Sequence, residues 1–569
     1  MNLRARAEEW LAEDPDPDTR GELQSLLDAG DEAALAERFS TRLEFGTAGI
    51  RGPLGAGPAR MNRAVVRRVT AGLAGRLLED GPAEGRSVVV GRDARRKSAE
   101  FAEDVIAVLT ATGFTVRAFA DPVPTPLVAY ATAHLGAVAG VQITASHNPP
   151  EDNGYKVYWA GGAQIAAPLD AEISAQIAAV GALSDVPYDP SARASVIGRD
   201  LTEAYFAEIL ALVDEEGDRD LSIVYTPLHG VAGSAVTDIL RRAGFAELAV
   251  VAEQFEPDPA FPTVNFPNPE EPGALDLAFE LATRRGADLV LANDPDGDRI
   301  AAAIAGEEGW RALTGDEVGC LLAEYLLTRF DGGPERVVAT TAVSSRLLSR
   351  IADHHGVGYA ETLTGFKWLA RAAAEAEAHG GRMVLAYEQA LGVMVGTTVR
   401  DKDGISAALA LAELAARLKA EGRTLADALD SLALRHGVHA TAGRSVRLEG
   451  EAGTELAAET LQRLRADPPE ALAGVSVAAA ADYRAGVRTA ADGRTQSLGT
   501  PSTDLYSLEL ADGSRAQLRP SGTEPLLKCY LEVVEPVPDG DVAAARDRVA
   551  PRLDALGDAF LAYLGLPAL

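Results

Sequence analysis

Over most of its length the chain alternates short apolar runs with longer stretches in which apolar residues recur every three or four positions. The first cycle runs through RSVVVGRD, SAEFAEDVIAVLTATG, TVRAFA, TPLVAYATAHLG and AVAGVQITA, between residues 86 and 145. Short apolar runs predict buried strands, and the 3.6-residue spacing predicts helices that cover them. This alternation restricts the chain to α/β folds with parallel or mixed sheets.

The same alternation restarts at LSIVYTPLHG and again near GDEVGCLLAEYLLTRF. From about Ala440, the runs SVRLEG, SLELADGSRAQLRPSG and LLKCYLEVVE predict antiparallel strands beside two helices. A length of 569 residues also calls for several cores. We therefore predict three consecutive α/β domains with mixed sheets and a C-terminal α+β domain, at residues 1–205, 206–312, 313–438 and 439–569.

The charge balance limits the partners. Lys and Arg number 53 against 84 Asp and Glu, a net charge of −31, which argues against nucleic acid and anionic membranes because both need a basic face. The start lacks the apolar stretch of a signal peptide, and no apolar run reaches the roughly 20 residues that span a bilayer. Two distant cysteines, Cys320 and Cys529, form no disulfide framework or metal motif. We expect a cytoplasmic protein.

Three loops carry candidate chemistry. In ITASHNPP, Ser146 follows an apolar strand and precedes two prolines that fix a turn, so its hydroxyl is held on an ordered loop; a plain polar turn is the alternative. In RPSGTEP, Arg519 and the segment 521–523 offer a guanidinium, hydroxyls and successive N–H groups, which suit an anion; an ordinary hairpin connection is the alternative.

The third loop, NDPDGDR, places Asp294, Asp296 and Asp298 at alternate positions after a buried strand. Carboxylates this close repel unless a cation joins them, and oxygen-only ligands favour Mg²⁺ or Ca²⁺. An EF-hand is excluded because Arg299 stands where its glycine would be. A magnesium site beside a phosphoryl group is the prediction, and a solvated acidic turn is the alternative.

In this order, TASHNP, DPDGDR and RPSGTEP resemble the phosphoserine, magnesium and phosphate-binding loops of the α-D-phosphohexomutase superfamily. FGTAGIRG (45–52) and YEQALG around Glu388 are similar to two further landmarks of that family. VYTPLHGV, TLTGFKW and DKDGISA resemble its longer phosphoglucomutase/phosphopentomutase-like branch. The resemblance extends from about residue 40 to 530 and implies four domains around a central cleft, with the last moving as a lid.

The resemblance also implies a mechanism. A phosphoryl group on the serine passes to a sugar monophosphate, and the resulting bisphosphate returns its other phosphoryl. The family's general acid/base corresponds to Lys156, and we expect burial beside cations to lower its pKa. The implied roles are these: catalysis by Ser146, Lys156, Arg51 and His147; Mg²⁺ binding by Ser146, Asp294, Asp296 and Asp298; substrate binding by Arg299, Lys367, Glu388, Lys402, Arg519, Ser521, Gly522 and Thr523.

One departure concerns the sugar. Many members of the family carry Glu-x-Ser-Gly in the sugar loop, whereas Glu388 is followed here by Gln-Ala-Leu-Gly, which lacks the hydroxyl. We expect interconversion of glucose 1-phosphate and 6-phosphate, with a sugar bisphosphate such as glucose 1,6-bisphosphate as activator. Mannose and pentose phosphates, and bisphosphate synthesis as the main activity, stay open. The expected assembly is a monomer, with a dimer as the alternative.

Two other functional classes stay open from the sequence. DLVLANDPDGD resembles the nucleophile motif of haloacid-dehalogenase-type phosphatases, in which Asp294 would carry the phosphoryl group. A non-catalytic phosphosugar-binding homologue is the third candidate.

Overall fold

A computed structural model of the chain describes residues 2–46, 49–307, 309–329, 332–333, 335–448, 450–520 and 526–567. The chain forms two compact units, Met1–Leu313 with Leu391–Gly422, and Thr314–Ala390 with Arg423–Leu569.

Three short helices open the first unit: α1 (Leu3–Glu13), α2 (Pro17–Ala29) and α3 (Glu32–Phe39). Asn2, Asp16 and Asp31 cap their N-termini by accepting hydrogen bonds from backbone N–H groups. Leu23 and Phe39 are fully buried in the small core that these helices share.

The first sheet is mixed, with strand order β1-β5-β4-β2-β3-β6. Its parallel centre is β2 (Ser87–Arg92), β3 (Thr115–Ala118) and β4 (Ala139–Ile143); β4 is buried throughout, and β2 is buried over residues 88–91. The outer strands are β1 (Ile50–Pro53), β5 (Asp152–Trp159) and β6 (Ser195–Val196). The helices of this region are α4 (Arg63–Glu79), α5 (Ser98–Ala111), α6 (Thr125–His134), α7 (Leu169–Ala179) and α8 (Arg199–Leu210), with a 3₁₀ turn at Leu183–Asp185.

The second sheet is also mixed, in the order β11-β10-β9-β7-β8. Strands β7 (Ile223–Thr226), β8 (Leu248–Val250) and β9 (Leu289–Ala292) run parallel, and β10 (Ala301–Gly306) and β11 (Gly309–Ala312) continue antiparallel. Its helices are α9 (Gly233–Arg242), α10 (Ala252–Phe255) and α11 (Asp276–Arg285).

In the second unit, β12 (Arg336–Thr341) lies between β13 (Gly358–Thr362) and β14 (Arg382–Glu388), parallel to both. The helices here are α12 (Gly315–Arg329), α13 (Leu347–His355) and α14 (Phe366–Ala378). The chain then returns to the first unit as β15 (Gly392–Val395) and α15 (Gly404–Ala420). Nearly every residue of α15 is buried, and it packs against α9.

The C-terminal part of the second unit is an antiparallel sheet in the order β16-β23-β22-β21-β18-β19-β20, with β17 paired to β18. Its strands are β16 (Val438–Arg447), β17 (Ala471–Leu472), β18 (Val475–Asp482), β19 (Val487–Ala490), β20 (Thr495–Ser497), β21 (Tyr506–Leu510), β22 (Arg515–Pro520) and β23 (Leu526–Glu535). The accompanying helices are α16 (Leu425–His436), α17 (Gly450–Ala466) and α18 (Val542–Leu564). A buried ion pair joins β22 to β23, with Arg515 Nη2 3.0 Å from Glu532 Oε2.

This architecture confirms the predicted fold class of three α/β regions followed by an α+β region. Among the described residues, no helix combines the length and apolarity that a transmembrane segment needs.

Candidate active site

Ser146 lies on a tight loop after β4. All five residues of β4 are buried, so the strand fixes the point at which the loop leaves the sheet. The serine adopts φ of 56°, a left-handed conformation that costs a residue with a side chain about 1–3 kcal/mol and is concentrated at functional sites. Thr144 Oγ1 accepts a hydrogen bond from the Ser146 N–H at 2.8 Å. The loop therefore holds the serine backbone in a strained, fixed geometry.

The Ser146 hydroxyl is directed at the acidic loop. Its Oγ donates to Asp294 Oδ2 at 2.9 Å and lies 3.2 Å from His147 Nδ1. The serine is only 5% exposed. Two motifs that are 148 residues apart in sequence therefore share one small space.

The acidic loop follows β9 and buries its three carboxylates completely. Asp294, Asp296 and Asp298 each present an oxygen within 4.8 Å of the other two. Gly297 makes this turn possible, because it has φ of 71° and a Cβ there would lie 2.7 Å from the Cβ of Ala232. The predicted convergence of alternate aspartates is what the structure shows.

These carboxylates fit a divalent cation. Burial, with the charges of Asp296 and Asp298, raises the pKa of Asp294. The Oδ1 atoms of Asp296 and Asp298 are buried and accept no hydrogen bond from the described residues. Crowded carboxylates with unsatisfied oxygens need positive charge, and oxygen donors are the ligands that Mg²⁺ prefers. The trio therefore has the composition of a magnesium site.

Two lysines supply positive charge to the same carboxylates. Lys156 Nζ lies 2.7 Å from Asp296 Oδ2 and 2.8 Å from Asp298 Oδ2. Lys402 Nζ lies 3.2 Å from Asp298 Oδ2 and 3.5 Å from Asp401 Oδ1. The structure thus brings the two lysines to the acidic loop.

The expected pKa of Lys156 was wrong in direction. Burial alone would lower the pKa of this ammonium, but the carboxylates of Asp296 and Asp298 outweigh burial and raise it. Sequence spacing gave no sign of these neighbours, because they come from a loop 140 and 142 residues further along the chain.

Three more predicted residues lie in the same unit. Arg51, on β1, is paired in register with Gly154, two positions before Lys156. His147 is buried, and burial together with the charges of Arg299 and Arg51 lowers its pKa, so its imidazole is neutral. The Arg299 backbone N–H donates to Asp294 Oδ1 at 3.0 Å. Both guanidiniums are therefore close enough to act electrostatically on the imidazole.

Lys367 and Glu388 are placed in the second unit. Glu388 ends β14, and its Oε1 accepts a hydrogen bond from the Gly365 N–H at 2.7 Å. Lys367 is the second residue of α14, two positions beyond that glycine, and is 8% exposed. The Glu388 carboxylate is therefore hydrogen-bonded to the turn that precedes α14, the helix that carries Lys367.

Arg519 lies near the end of β22, directly opposite Lys528 on β23. The two cations concentrate positive charge at one place on this sheet, which suits an anion. Ser521, Gly522 and Thr523 lie outside the described residues, as do Thr47 and Ala48 of the FGTAGIRG segment.

Sequence reasoning missed Thr125, Asp401 and Lys528. Thr125 Oγ1 donates to Asp296 Oδ2 at 2.5 Å, and its N–H donates to the Asp296 carbonyl at 2.9 Å. Asp401 accepts hydrogen bonds from Tyr158 and Gln164 at 2.9 and 2.7 Å. The prolines flanking Thr125 marked a helix start, but nothing local indicated its partner.

Models of four domain types match the chain in order. They are the phosphoglucomutase/phosphomannomutase alpha/beta/alpha domains I, II and III and the C-terminal domain, at residues 42–183, 203–307, 314–435 and 463–549. A "Probable phosphoribomutase" of Schizosaccharomyces pombe is 38% identical, with 93% of each chain covered. A phosphoglucomutase of Staphylococcus haemolyticus is 35% identical over 90% of this chain and 93% of its own.

Among solved structures, the open form of pp63/parafusin, a phosphoglucomutase from Paramecium, superposes with a TM-score of 0.66. It is 18% identical and covers 91% of this chain and 96% of its own, a likeness that speaks for the fold. With four domain models in order and full-length relatives above 30% identity, the chain belongs to the phosphoglucomutase/phosphomannomutase family of intramolecular phosphotransferases.

Proposed function

We propose that this enzyme moves a phosphoryl group between C1 and the terminal carbon of an aldose phosphate, through a phosphorylated Ser146 and a sugar bisphosphate. The observation that supports the proposal is the 2.9 Å contact between Ser146 Oγ and Asp294 Oδ2, because this hydroxyl lies beside three buried carboxylates. The proposal also includes the four domains predicted from the sequence, at residues 1–205, 206–312, 313–438 and 439–569.

In the first half-reaction, a hydroxyl oxygen of the sugar monophosphate attacks the phosphorus on Ser146. The new O–P bond forms as the Oγ–P bond breaks. Lys156 gives a proton from Nζ to the departing Oγ and takes the proton that the sugar hydroxyl loses, so the lysine ends unchanged. The second half-reaction is the reverse, with the other phosphate of the bisphosphate returned to the serine.

The other charged groups stabilise this transfer. Asp294, Asp296 and Asp298, with an oxygen of the Ser146 phosphoryl group, would hold Mg²⁺, which would offset the charge on the equatorial oxygens. Arg51 and Arg299 add positive charge that stabilises the transition state. A group of this kind typically contributes about 10²-fold in rate. His147 stays neutral and orients the serine through its Nδ1.

In the second unit, we assign Arg519 and Lys528, with Ser521–Thr523, to the phosphate that is not reacting. Glu388 accepts hydrogen bonds from sugar hydroxyls, and Lys367 assists, with Lys402 as a further sugar contact from the first unit. A free bisphosphate such as glucose 1,6-bisphosphate would then activate the enzyme by restoring phosphoserine.

Phosphoryl mapping tests the nucleophile. After incubation with glucose 1,6-bisphosphate and Mg²⁺, we expect one phosphoryl group per chain, on Ser146. Phosphate on Asp294 would instead identify a haloacid-dehalogenase-type phosphatase. Sugar phosphate binding without phosphoenzyme or turnover would identify a non-catalytic homologue, and either result would overturn the proposal.

Glucose 1-phosphate is the substrate we propose first, and a pentose 1-phosphate is the second candidate. The pentose is favoured by the sugar loop, where Ala390 offers no hydroxyl at the place of the family's serine, and Leu391 takes φ of 62° at the place of its glycine. The phosphoribomutase name of one relative points the same way. A panel of kcat/KM values over glucose, mannose and ribose 1-phosphates decides between them, and a preference for mannose would exclude both.

A monomer in the cytoplasm completes the proposal. Both cysteines are free and buried, Cys320 in α12 and Cys529 in β23, which suits a reducing compartment. Light scattering of the purified protein tests the monomer, and a dimer mass would refute it.

A further inference from the structure

The guanidinium of Arg95 contacts the serine loop, residues 146–152. Arg95 follows β2 by three residues and is 4% exposed. Its Nη2 donates to the carbonyl oxygens of Ser146 at 2.6 Å and Asn148 at 2.5 Å, and its Nη1 donates to those of Pro149 at 2.7 Å and Asp152 at 3.2 Å. One side chain therefore binds four carbonyl groups of a seven-residue segment, starting at the serine itself.

Arg95 is itself held on several sides. Asp93, 1% exposed, accepts from the Arg95 N–H at 3.0 Å, and its Oδ2 lies 3.4 Å from Arg95 Nε. The same carboxylate accepts from Ser98 Oγ at 2.7 Å. The ring of Phe261 lies 5.0 Å from the guanidinium carbon, within cation–π range. These contacts fix where the guanidinium can be.

The serine loop needs such a partner for a physical reason. Four carbonyl oxygens directed at one place repel each other, and a buried carbonyl without a donor costs about 1–3 kcal/mol. The strained backbone of Ser146 persists only where its surroundings over-determine it. A planar guanidinium offers five donors in a rigid fork, whereas an ammonium offers three from a single atom.

We propose that Arg95 is a positioning residue, which sets the direction of the Ser146 hydroxyl through the carbonyls of its loop and touches neither substrate nor metal ligand side chains. This inference rests on the proposed function, because it takes Ser146 as the phosphoryl carrier. A nucleophile displaced by about 1 Å can lose about 10²-fold in rate, so the effect should fall on kcat.

The experiment compares Arg95→Lys and Arg95→Met with Arg96→Met. Arg96 is the matched control, because its Nη2 donates to one carbonyl of the same loop, that of Pro150 at 3.0 Å, from an exposed position. We expect Arg95→Lys to lower kcat about 10- to 100-fold with little change in KM. Arg95→Met should lose more, and Arg96→Met should stay within about twofold of the natural enzyme.

Two further measurements separate positioning from general damage. Hydrogen exchange in residues 144–154 should become faster in Arg95→Lys, while exchange in the second unit stays unchanged. The rate of Ser146 phosphorylation by glucose 1,6-bisphosphate should fall in proportion to kcat. Wild-type kcat in Arg95→Lys, or a loss explained by the unfolded fraction, would overturn the inference and leave the proposed function standing. If Ser146→Ala keeps wild-type turnover, the proposed function fails instead.

Discussion

Replacement of Lys156 by methionine tests the electrostatics of the acidic loop. The Lys156 side chain is 14% exposed, and its ammonium contacts two fully buried carboxylates, those of Asp296 and Asp298, at 2.7 and 2.8 Å. At an effective dielectric constant of about 20, opposite charges at such separations attract by about 6 kcal/mol per pair, and desolvation takes back a large part. Removing one partner of a buried ion pair typically costs about 3–5 kcal/mol, which is the loss we expect without metal.

Added Mg²⁺ should stabilise Lys156→Met more than it stabilises the natural protein. The Lys156 ammonium and a divalent cation would neutralise the negative charge of the same two carboxylates, so the variant should bind Mg²⁺ more tightly than the natural protein. Ligand that binds only the folded state stabilises it by RT ln(1 + [L]/Kd). Mg²⁺ should therefore recover more stability in Lys156→Met, although turnover stays low because the proton-transfer group is missing.

The assay is urea denaturation of both proteins in EDTA and in a Mg²⁺ series. Lys419→Met is the matched control, because Lys419 Nζ makes an exposed ion pair with Asp288 at 2.9 Å, with 41% and 32% of the two side chains exposed. Such pairs contribute about 0–1 kcal/mol. Equal losses for the two variants in EDTA, or a smaller Mg²⁺ effect in Lys156→Met, would refute the argument.

Three further predictions concern other sites. Ser146→Ala should fold normally but lose phosphoenzyme and nearly all turnover, and wild-type turnover in a coupled assay would contradict the nucleophile assignment. Glu532 is buried, yet Arg515 and His439 lower the pKa of its carboxyl to about 2. The ionised carboxylate therefore stabilises the folded state fully above about pH 4.5, near its unfolded pKa. This stabilisation, up to about 3 kcal/mol, is lost as the pH falls toward 2. Acid titration of stability should show this slope weakened in Glu532→Gln. Ala390→Ser should raise the kcat/KM ratio of glucose over ribose 1-phosphate, and an unchanged ratio would remove the sugar-loop argument for a pentose.

The sequence predicted those parts of the molecule that depend on neighbouring residues. Buried strands β4 and β9 show as apolar runs, and the loops that follow them start where the strand pattern stops. The convergence of the three aspartates was predictable because their carboxylates lie within five residues and one glycine permits the turn. Strand order and pairing could not be predicted in the same way; for example, β5 follows β4 through a short loop without a helix and pairs with it in antiparallel fashion.

Contacts between distant segments explain what sequence reasoning missed. The pKa of Lys156 depends on carboxylates that enter from the loop after β9, and Thr125 reaches that loop from the start of α6. Arg95 sits in an ordinary strand-to-helix turn, and its charge acquires a role only where four carbonyls of another segment converge on it. Such properties belong to the folded arrangement and leave no local pattern.

The acidic loop keeps three carboxylates buried, and lysines lie against two of them where a cation would bind. The ammonium groups offset part of the repulsion that the aspartates exert on one another. In the proposed mechanism, Mg²⁺ would take over part of this charge compensation, which would free Lys156 to move toward the reacting oxygens. The affinity for the cation and the release of Lys156 from the carboxylates would then be coupled, so that a change in one changes the other.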